Sequence, residues 1–348
     1  MNILAIETSC DETAVAVVNN GWRVCASVVS SQIEKHAVYG GVVPELAARE
    51  HLRNIGPVMD TALGNSSLTV DAVDALAVTA GPGLLPSLLV GLSYAKGLAV
   101  SLQKPLTGVN HVLAHLYAPA FDHPDAFTSL QNYPILALVV SGGHTSLFLL
   151  NADGHVRMVG KTLDDAAGEA FDKAANILDL GYPGGPIIDR LAKKGNPKAF
   201  NFPRGLTGGR GRAVKEKNRF NFSFSGLKTA LLYHARDRTL SETERADTIA
   251  SYQEAIVDVL VQKTTAAAKH FQTPLVLLTG GVACNSRLRE RMSAGLKSTD
   301  SAANLLLSHP QYCTDNAAMI AGLGYHQLNH GYTDPLDMDA FARLPAEL

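Results

Sequence analysis

Short apolar runs separated by polar turns open the chain and predict strands. Residues 2–8, 13–18 and 22–29 are three such runs, and Asn19-Asn20-Gly21 supplies hairpin turn chemistry between the last two. They predict a three-stranded meander. Beyond it, the apolar spacing predicts helix, strand, helix, strand and helix at 44–63, 75–79, 84–102, 106–109 and 111–121.

The second half of the chain repeats this order. Strands are predicted at 135–140, 145–150, 155–160 and 275–278, and helices at 168–180 and 284–292. Residues 183–221, rich in Gly, Pro and Arg, are expected to contain loop, and a final helix at 315–328 is expected to return to the first lobe. Because the unit of alternating strands and helices occurs twice, the sequence predicts an α/β protein with two similar lobes around a ligand cleft.

The expected domain division follows from this repeat and from the length of 348 residues. It comprises an N-terminal lobe (1–132), a C-terminal lobe (133–313) and a C-terminal helix and tail (314–348) that packs on the first lobe.

Composition narrows the class of protein. Hydrophobic residues make up 46% of the chain and charged residues 18%, and the net charge is −2. These values exclude a disordered polyelectrolyte and a generally basic nucleic-acid coat protein. The four cysteines (Cys10, Cys25, Cys284 and Cys313) lie far apart without a C-x-x-C pair, so neither a disulfide scaffold nor a zinc ribbon is expected.

Targeting and membrane signals are weak. The first six residues lack the basic region of a signal peptide. The longest apolar stretch, 84–102, is interrupted by Ser87, Ser93 and Lys96, which makes it a poor membrane span. The expectation is a cytoplasmic protein without a membrane segment.

Two histidines and an aspartate are candidate metal ligands. His111 and His115 stand at i and i+4, so on a helix both imidazoles can reach one ion, although two unrelated histidines fit the spacing equally well. Val112 replaces the glutamate that a zinc protease needs after its first histidine, which disfavours that mechanism. Asp315, near a predicted helix start, is a third candidate ligand, but capping is the commoner role for such an aspartate.

Four turns of small residues follow predicted strands, at 9–13, 81–83, 141–145 and 280–285. Such turns expose backbone N–H groups, and a following helix adds the positive end of its dipole, so they suit phosphate binding. Their equivalent placement in the two repeats points to the cleft between the lobes.

The chain closely resembles the universal tRNA adenosine threonylcarbamoyltransferase family in motifs that span nearly its whole length. The matching segments are IETSCDET (6–13), AGPGLLPSLLVGLSYAKGLA (80–99), NHVLAHLYA (110–118), VSGGHTSL (140–147), DDAAGEAFDKAA (164–175), YPGGP (182–186), FSFSGLKTA (222–230), GGVACNSRLR (280–289) and TDNAAMIA (314–321). One departure is the Arg/Gly-rich segment 204–219 before FSFSG.

The resemblance implies a duplicated actin-like, Hsp70-like fold of the ribonuclease H-like (ASKHA) type. It implies transfer of a threonylcarbamoyl group from threonylcarbamoyl-AMP to N6 of adenosine 37 in tRNAs that read ANN codons, with release of AMP. It also implies one divalent metal, Fe²⁺ in preference to Zn²⁺, on His111, His115 and Asp315. By the same resemblance, the adenylate site is lined by Val140, Ser141, Gly142, Gly143, His144, Asp172, Gly185, Asp189 and Asn285. The partners it implies are tRNA, a related actin-fold protein (TsaB-like) and a small P-loop ATPase (TsaE-like).

The residues fit this chemistry, with some roles open. Glycine-turn amides can hold the phosphate of the mixed anhydride while the adenosine amine attacks, and no covalent enzyme intermediate is needed. Asp11 and Glu12 are the candidates for removing the amine proton. Two alternatives are an actin-fold kinase and a noncatalytic nucleotide-binding scaffold, but a kinase leaves the paired histidines and Asp315 without a role.

A local basic excess is the candidate tRNA contact. Residues 204–219 carry six basic side chains against one acid, Glu216, and a solvated loop is the alternative interpretation. The basic residues are Arg204, Arg210, Arg212, Lys215, Lys217 and Arg219.

Overall fold

The chain forms two compact units in a computed structural model. One unit comprises Met1–Ala126 together with the segment that begins at Thr314, and the other comprises Phe127–Cys313. The residues that the structure describes are 1–208, 213–236, 238–298 and 303–344.

The first unit is built on a mixed sheet with strand order β3-β2-β1-β4-β5 in its described residues. β1 pairs antiparallel with β2 and parallel with β4, and β4 pairs parallel with β5. Asn20 and Gly21 both have positive φ between β2 and β3, as a tight hairpin turn requires. The strands are β1 (Asn2–Glu7), β2 (Glu12–Asn19), β3 (Arg23–Ser31), β4 (Ala75–Gly81) and β5 (Leu106–Asn110).

Helices cover both faces of this sheet. Because side chains alternate along a strand, Leu76 and Val78 join the core formed with α2 and α3, whereas Ala77 lies under Gly324 of α12 on the other face. The result is a three-layer α/β/α arrangement. The helices of this unit are α1 (Ile33–Ala37), α2 (Pro44–Ser66), α3 (Leu85–Leu102), α4 (His111–Ala114) and α12 (Ala317–Asn329), and α5 (Asp125–Thr128) lies where the units join along the chain.

Helix α3 is long and apolar enough to cross a membrane by length and composition alone, with a mean hydropathy of 1.4. Its face containing Leu88, Gly91 and Leu92 is buried, and a Cβ at Gly91 would lie 2.4 Å from Thr8 Oγ1. One such helix is weak evidence for a membrane segment, because a buried core helix passes the same test.

The second unit repeats the sheet of the first, with strand order β10-β9-β6-β7-β8 in its described residues. β6 pairs antiparallel with β7 and parallel with β9, so β6 and β9 correspond to β1 and β4. Its strands are β6 (Ile135–Val140), β7 (Thr145–Leu150), β8 (Val156–Lys161), β9 (Leu275–Thr279) and β10 (Asn304–Leu307).

The core of the second unit joins Leu136 and Leu138 of β6 to Phe171 of α6 and Tyr252 of α9. Tyr252 also donates its hydroxyl hydrogen to the carbonyl oxygen of Ala170 at 3.0 Å, which satisfies its one polar atom inside the core. The helices are α6 (Ala167–Ile177), α7 (Gly184–Ala192), α8 (Ser225–Ala235), α9 (Glu242–Phe271), α10 (Ser286–Ser298) and α11 (Pro310–Cys313).

The structure confirms the predicted strands and most helices, with two corrections and one addition. The helix predicted at 111–121 is α-helical only to Ala114 and continues as a 3₁₀ helix to Phe121, where Pro119 cannot donate a backbone hydrogen bond. The segment 183–221 contains loop as expected, but its first part forms α7, whose opening Gly-Gly-Pro hid the apolar spacing behind it. The helix predicted from 284 begins at Ser286 after a 3₁₀ turn.

Candidate functional site

The carboxyl ends of β1 and β4 meet at one edge of the first sheet. The N–H of Leu84, after β4, donates to the carbonyl oxygen of Ser9, after β1, at 2.8 Å. A Cβ at Gly83 would lie 2.6 Å from that same oxygen, so only glycine allows this approach. The edge therefore gathers the turns that carry the candidate residues of the first unit.

The cap of α4 places the two histidines. The side-chain oxygen of Asn110 accepts the N–H groups of Val112 and Leu113, which fixes the helix start at His111. His111 and His115 are both buried, and their ring centroids lie 5.0 Å apart.

Asp315 joins this pair. Its Oδ1 lies 3.5 Å from His111 Nε2 and 3.3 Å from His115 Nε2. One ligand atom from each residue lies within 4.8 Å of the others. Two imidazoles and one carboxylate are a donor set typical of divalent iron and also used for zinc, with coordination positions left open.

The alternative role for Asp315, capping a helix, is wrong. Asn316 is the N-cap of α12, and its side chain accepts the N–H of Met319 at 3.1 Å. The Asp315 carboxylate, 22% exposed, points toward the histidines instead.

Glu7, the last residue of β1, orients His111 from behind and was missed by the sequence analysis. It is 1% exposed, accepts the Thr79 hydroxyl at 2.6 Å, and its Oε2 lies 2.9 Å from His111 Nδ1. Nδ1–H donating to this carboxylate leaves Nε2 facing Asp315, which is the outer-shell arrangement of metal-binding histidines.

The charges around His111 show that the cluster suits a cation. Burial disfavours protonation, but the Asp315 and Glu7 carboxylates outweigh it and raise the pKa of His111 to about 9. Burial likewise opposes ionisation of Glu7, yet the attraction of His111 lowers the pKa of that carboxyl. The two carboxylates thus stabilise positive charge at the position where a metal ion would bind, so the residues fit the metal that the sequence analysis implied.

The carboxyl groups of Glu12 and Asp11 lie in the same turn region and interact with each other. Burial, followed by the negative charges of Asp315 and Asp11, raises the pKa of Glu12 well above its usual range. Ser31 donates its hydroxyl hydrogen to Glu12 Oε1 at 3.2 Å. A carboxyl group with a raised pKa beside a charged cluster is typical of proton-transfer sites.

His51 of α2 fixes this turn and is a second residue that the sequence analysis missed. Its Nε2 lies 3.0 Å from the carbonyl oxygen of Cys10, and its Nδ1 lies 2.8 Å from Thr13 Oγ1. Burial lowers the pKa of His51, so the neutral ring donates through Nε2 and accepts through Nδ1. The only signal in the sequence was a histidine within an apolar helical pattern.

In the second unit the ends of β6 and β9 meet in the same way. Gly280, after β9, has a φ of +94°, and a Cβ on it would lie 2.4 Å from the Val140 carbonyl oxygen. The turn after β6 is closed by Ser141 N–H donating to the His144 carbonyl at 2.8 Å. Side chains added at Gly142 or Gly143 would meet nothing within 4 Å, so this turn presents open backbone.

The start of α7 is tied to α6 through Asp172. The Asp172 carboxylate accepts the N–H of Gly184 at 2.7 Å. A Cβ at Gly184 would lie 2.5 Å from the Phe171 carbonyl oxygen, whereas one at Gly185 would meet nothing within 4 Å. Gly184 therefore serves packing, and Gly185 faces open space.

The start of α10 is tied to α7 and α9. Asp189 accepts the hydroxyl hydrogen of Ser286 at 2.8 Å. Asn285 donates its amide hydrogen to Gln253 Oε1 at 2.8 Å, and its own oxygen accepts the N–H of Leu288 at 2.9 Å. The structure thus connects Asp172 with Gly184, and Asp189 and Asn285 with the start of α10.

A cavity of about 280 Å³ borders these residues, close to the lower limit of small-ligand pockets. Gln253 and Ser286, which contact Asn285 and Asp189, line it, and Gln253 was also missed by the sequence analysis. The full lining is Ala192, Lys193, Pro197, Ala250, Gln253, Glu254, Ser286, Arg287 and Glu290.

Part of the basic segment is described. Arg204 donates to Asp258 Oδ2 at 2.9 Å, so it stabilises the second unit rather than contributing free charge. Lys215 and Lys217 are exposed. Arg210 and Arg212 lie outside the described residues.

Solved structures support the fold. The chain is similar to full-length HypF in the phosphate- and nucleotide-bound form, with a TM-score of 0.59 and 12% identity over 93% of this chain and 46% of that one. It is also similar to component A of (R)-2-hydroxyglutaryl-CoA dehydratase from Acidaminococcus fermentans, with a TM-score of 0.54 and 14% identity over 94% and 99% of the two chains. The chain has the duplicated actin-like α/β fold.

Sequence comparison identifies the family. The model of the family described as TsaD, tRNA N6-adenosine threonylcarbamoyltransferase, matches residues 23–322. A protein of that name from Kosmotoga olearia is 48% identical over 99% of this chain and 98% of its own length. Another from Moorella thermoacetica is 49% identical over 99% of this chain and 97% of its own. The chain therefore belongs to the tRNA N6-adenosine threonylcarbamoyltransferase family.

Proposed function

We propose that the chain transfers the threonylcarbamoyl group of threonylcarbamoyl-AMP to N6 of adenosine 37 in tRNAs that read ANN codons. The observation that carries this proposal is the cluster of His111, His115 and Asp315, oriented by Glu7, in a chain of this family. An actin-fold kinase gives that cluster no role, so the transferase is favoured.

The cluster holds one divalent ion in this proposal. Two histidines and a carboxylate suit Fe²⁺ first and Zn²⁺ second. When bound, such an ion supplies a positive charge that can polarise a carbamoyl oxygen. Glu7 contributes by holding the His111 ring in the orientation that presents Nε2.

The second unit binds the adenylate in this proposal. The open backbone of the turn from Val140 to His144 provides N–H donors for an anion, and the start of α7 at Gly185 adds a helix N-terminus. Asp172, Asp189 and Asn285 hold the helix starts in place through the hydrogen bonds described above.

The proton of the attacking amine needs an acceptor. As the N6 nitrogen bonds to the carbamoyl carbon, the bond from that carbon to the phosphate oxygen breaks, AMP leaves and N6 loses a proton. Glu12, with Asp11 beside it, is the proposed acceptor, because its raised pKa brings proton uptake closer to neutral pH.

Mass spectrometry of tRNA tests this function. The purified chain is incubated with threonylcarbamoyl-AMP and an unmodified tRNA transcript, and the nucleosides are analysed after digestion. The expected result is threonylcarbamoyladenosine with an equal amount of AMP, and none with a transcript that carries guanosine at position 37. Donor binding without product, even after the partner proteins are added, would favour the scaffold. A phosphorylated product in a parallel reaction with ATP would favour the kinase.

The proposal also includes two partner proteins and a cytoplasmic location. By resemblance, a related actin-fold protein (TsaB-like) and a small P-loop ATPase (TsaE-like) assist turnover. A cytoplasmic location is inferred because the tRNA substrate is found there. Repeating the assay with and without each partner measures their contribution, and turnover unchanged by either protein would remove them from the mechanism.

A further inference from the structure

Three aromatic rings from two distant segments meet on the second unit. Phe220 follows the 3₁₀ turn Glu216–Asn218, whereas His270 and Phe271 are the last two residues of α9. The ring centroids of Phe220 and Phe271 lie 5.5 Å apart, and that of His270 lies 5.3 Å and 4.7 Å from them. Phe220 is buried and His270 is exposed, so this ring cluster extends from the core to the surface.

An arginine lies over each phenylalanine ring of the cluster. The Cζ atom of Arg157, on β8, lies 5.6 Å from the centroid of Phe271. The Cζ atom of Arg219 lies 5.3 Å from the centroid of Phe220. Cation–π attraction holds a guanidinium stacked in this way, while its N–H groups remain able to donate in the plane of the group. The rings therefore orient both arginines before a ligand binds.

The positive charge of this region faces solvent. Arg157 is exposed, and in the part of the chain that the structure describes no carboxylate forms a salt bridge with it. Arg219 is paired with Glu216 at 3.2 Å, but their side chains are 45% and 84% exposed, and an exposed pair of this kind is weak. Both arginines can therefore bind an anion at little cost.

The two segments that carry these arginines are tied together. Lys263 of α9, which is buried, donates from Nζ to the carbonyl oxygen of Arg219 at 2.8 Å. Phe222, three residues after Arg219, donates its N–H to the carbonyl oxygen of Lys161 at 3.0 Å. Because Lys161 ends β8, the strand that carries Arg157, the two arginines are held at a fixed separation.

We propose that the arginine–ring surface, formed by Arg157, Arg219, Phe220, His270 and Phe271, binds the phosphate backbone of tRNA. This inference rests on the proposed function, which makes tRNA the substrate. Guanidinium groups form paired hydrogen bonds with phosphate oxygens. Since the arginines cover both phenylalanine rings, contact with phosphates is favoured over stacking of bases on those rings. Exposed Lys215 and Lys217, which precede Arg219, extend the same positive surface.

Arg157→Ala tests this surface, with Arg23→Ala as the matched control. Arg23 is an exposed arginine at the start of β3, the outer strand of the first unit that corresponds to β8. Filter binding of an unmodified tRNA transcript over a salt series should show severalfold weaker binding for Arg157→Ala. The slope of log affinity against log salt should become shallower by about one unit. Arg157→Lys should restore the slope, because a lysine neutralises the same phosphate.

Phe271→Leu tests whether the ring orients Arg157. The variant keeps an apolar side chain and every charge, so tRNA should bind more weakly with an unchanged salt slope. Thermal unfolding establishes that the variant is folded at the assay temperature, and donor affinity should equal that of the wild type. Wild-type affinity for tRNA in this variant would overturn the role of the ring.

The same variants separate this inference from the proposed function. In the transfer assay, Arg157→Ala should raise the KM for tRNA and leave turnover at saturating tRNA unchanged. The inference is overturned if Arg157→Ala binds tRNA with the affinity and slope of the wild type, or if Arg23→Ala changes the slope equally. Wild-type protein that binds tRNA through this surface but forms no threonylcarbamoyladenosine would instead refute the proposed function alone.

Discussion

The two units share one sheet topology but place different chemistry at the same edge of that sheet. In each, the first strand pairs antiparallel with the second and parallel with the fourth. In each, a glycine after the fourth strand approaches the end of the first, Gly83 at Ser9 and Gly280 at Val140. The strand pairing and the close approach of a glycine are therefore the same in both units.

The side chains at these strand ends differ. β1 ends on Glu7 and leads to Asp11 and Glu12, so the first edge is rich in carboxylates and faces two histidines. β6 ends on Val140 and leads to a turn without carboxylates, Ser141-Gly142-Gly143-His144, which has open backbone at its glycines. Carboxylates with imidazoles attract cations, whereas backbone N–H groups and helix starts attract anions, so the proposed function assigns the metal to the first edge and the adenylate to the second. Five experiments probe this difference.

The largest expected effect comes from removing ligands of the first edge. His111→Ala with His115→Ala, or Asp315→Ala, should weaken metal binding more than about 100-fold and abolish most transfer activity, because too few donors remain. Metal content is measured by mass spectrometry and folding by thermal unfolding, with exposed His330→Ala as control. If the double histidine variant still bound one metal ion per chain, the first edge would not be the metal site and the proposed difference between the two edges would be wrong.

A smaller loss is expected from Glu7→Gln. The variant keeps the size of the side chain but loses the charge behind His111, so metal affinity should fall by about 10–100-fold while all three ligands remain. Competition with a chelator measures the dissociation constant, and exposed Glu34→Gln is the matched control. An unchanged constant would mean that Glu7 only stabilises the sheet edge.

Two neighbouring glycines test the second edge. Gly185→Val should raise the dissociation constant for the donor about tenfold or more without lowering the melting temperature, because its side chain enters space that the protein leaves open. Gly184→Ala should instead cost about 1–3 kcal/mol of stability, since its Cβ meets the Phe171 carbonyl. Calorimetric titration with the donor checks the first variant, and equal donor affinity in folded Gly185→Val would contradict an adenylate site there.

The exposed lysines of the basic segment should have a modest effect. Lys215→Ala with Lys217→Ala should weaken tRNA binding and reduce the slope of log affinity against log salt by about one unit for each phosphate that the protein no longer neutralises. Filter binding over a salt series measures the slope, and exposed Lys297→Ala is the control. An unchanged slope would show that these lysines face only water.

The smallest expected effects are changes of stability with pH in the metal-free protein, which have opposite signs in the two units. The pKa of His111 is raised from 6.5 to about 9 in the folded protein, so protonation of His111 stabilises the first unit. This stabilisation is complete below pH 6.5 and is lost as the pH rises through 9. Burial lowers the pKa of Lys263 in the second unit from 10.5 to about 8. Burying the charged amine destabilises the folded state, and this destabilisation disappears as the pH rises from 8 to 10.5.

Trp22, the single tryptophan, reports unfolding of the first unit. The urea concentration at the midpoint of unfolding, followed by Trp22 fluorescence, should decrease as the pH is raised from 7 to 9. Circular dichroism follows the second unit, and there Lys263→Met should remove the increase of stability with pH. A midpoint from Trp22 fluorescence that rises over this range would refute the charge arrangement around His111.

Local chemistry in the sequence determined the strands, the hairpin at Asn20-Gly21 and the i, i+4 spacing of His111 and His115, since each depends on residues a few positions apart. The motifs that carry the family resemblance also span short segments. The α-helix predicted after His111 was nevertheless too long, because the spacing of apolar residues gives no information about the N–H that Pro119 lacks.

Only the tertiary structure decided which distant residues meet. Asp315 reaches the histidines and Glu7 reaches His111 because strand pairing and the packing of α12 bring separate segments to one edge. Asn316, not Asp315, caps α12, a choice between adjacent polar residues that propensity cannot make. Such contacts depend on the register and crossing of elements far apart along the chain, which local patterns do not encode.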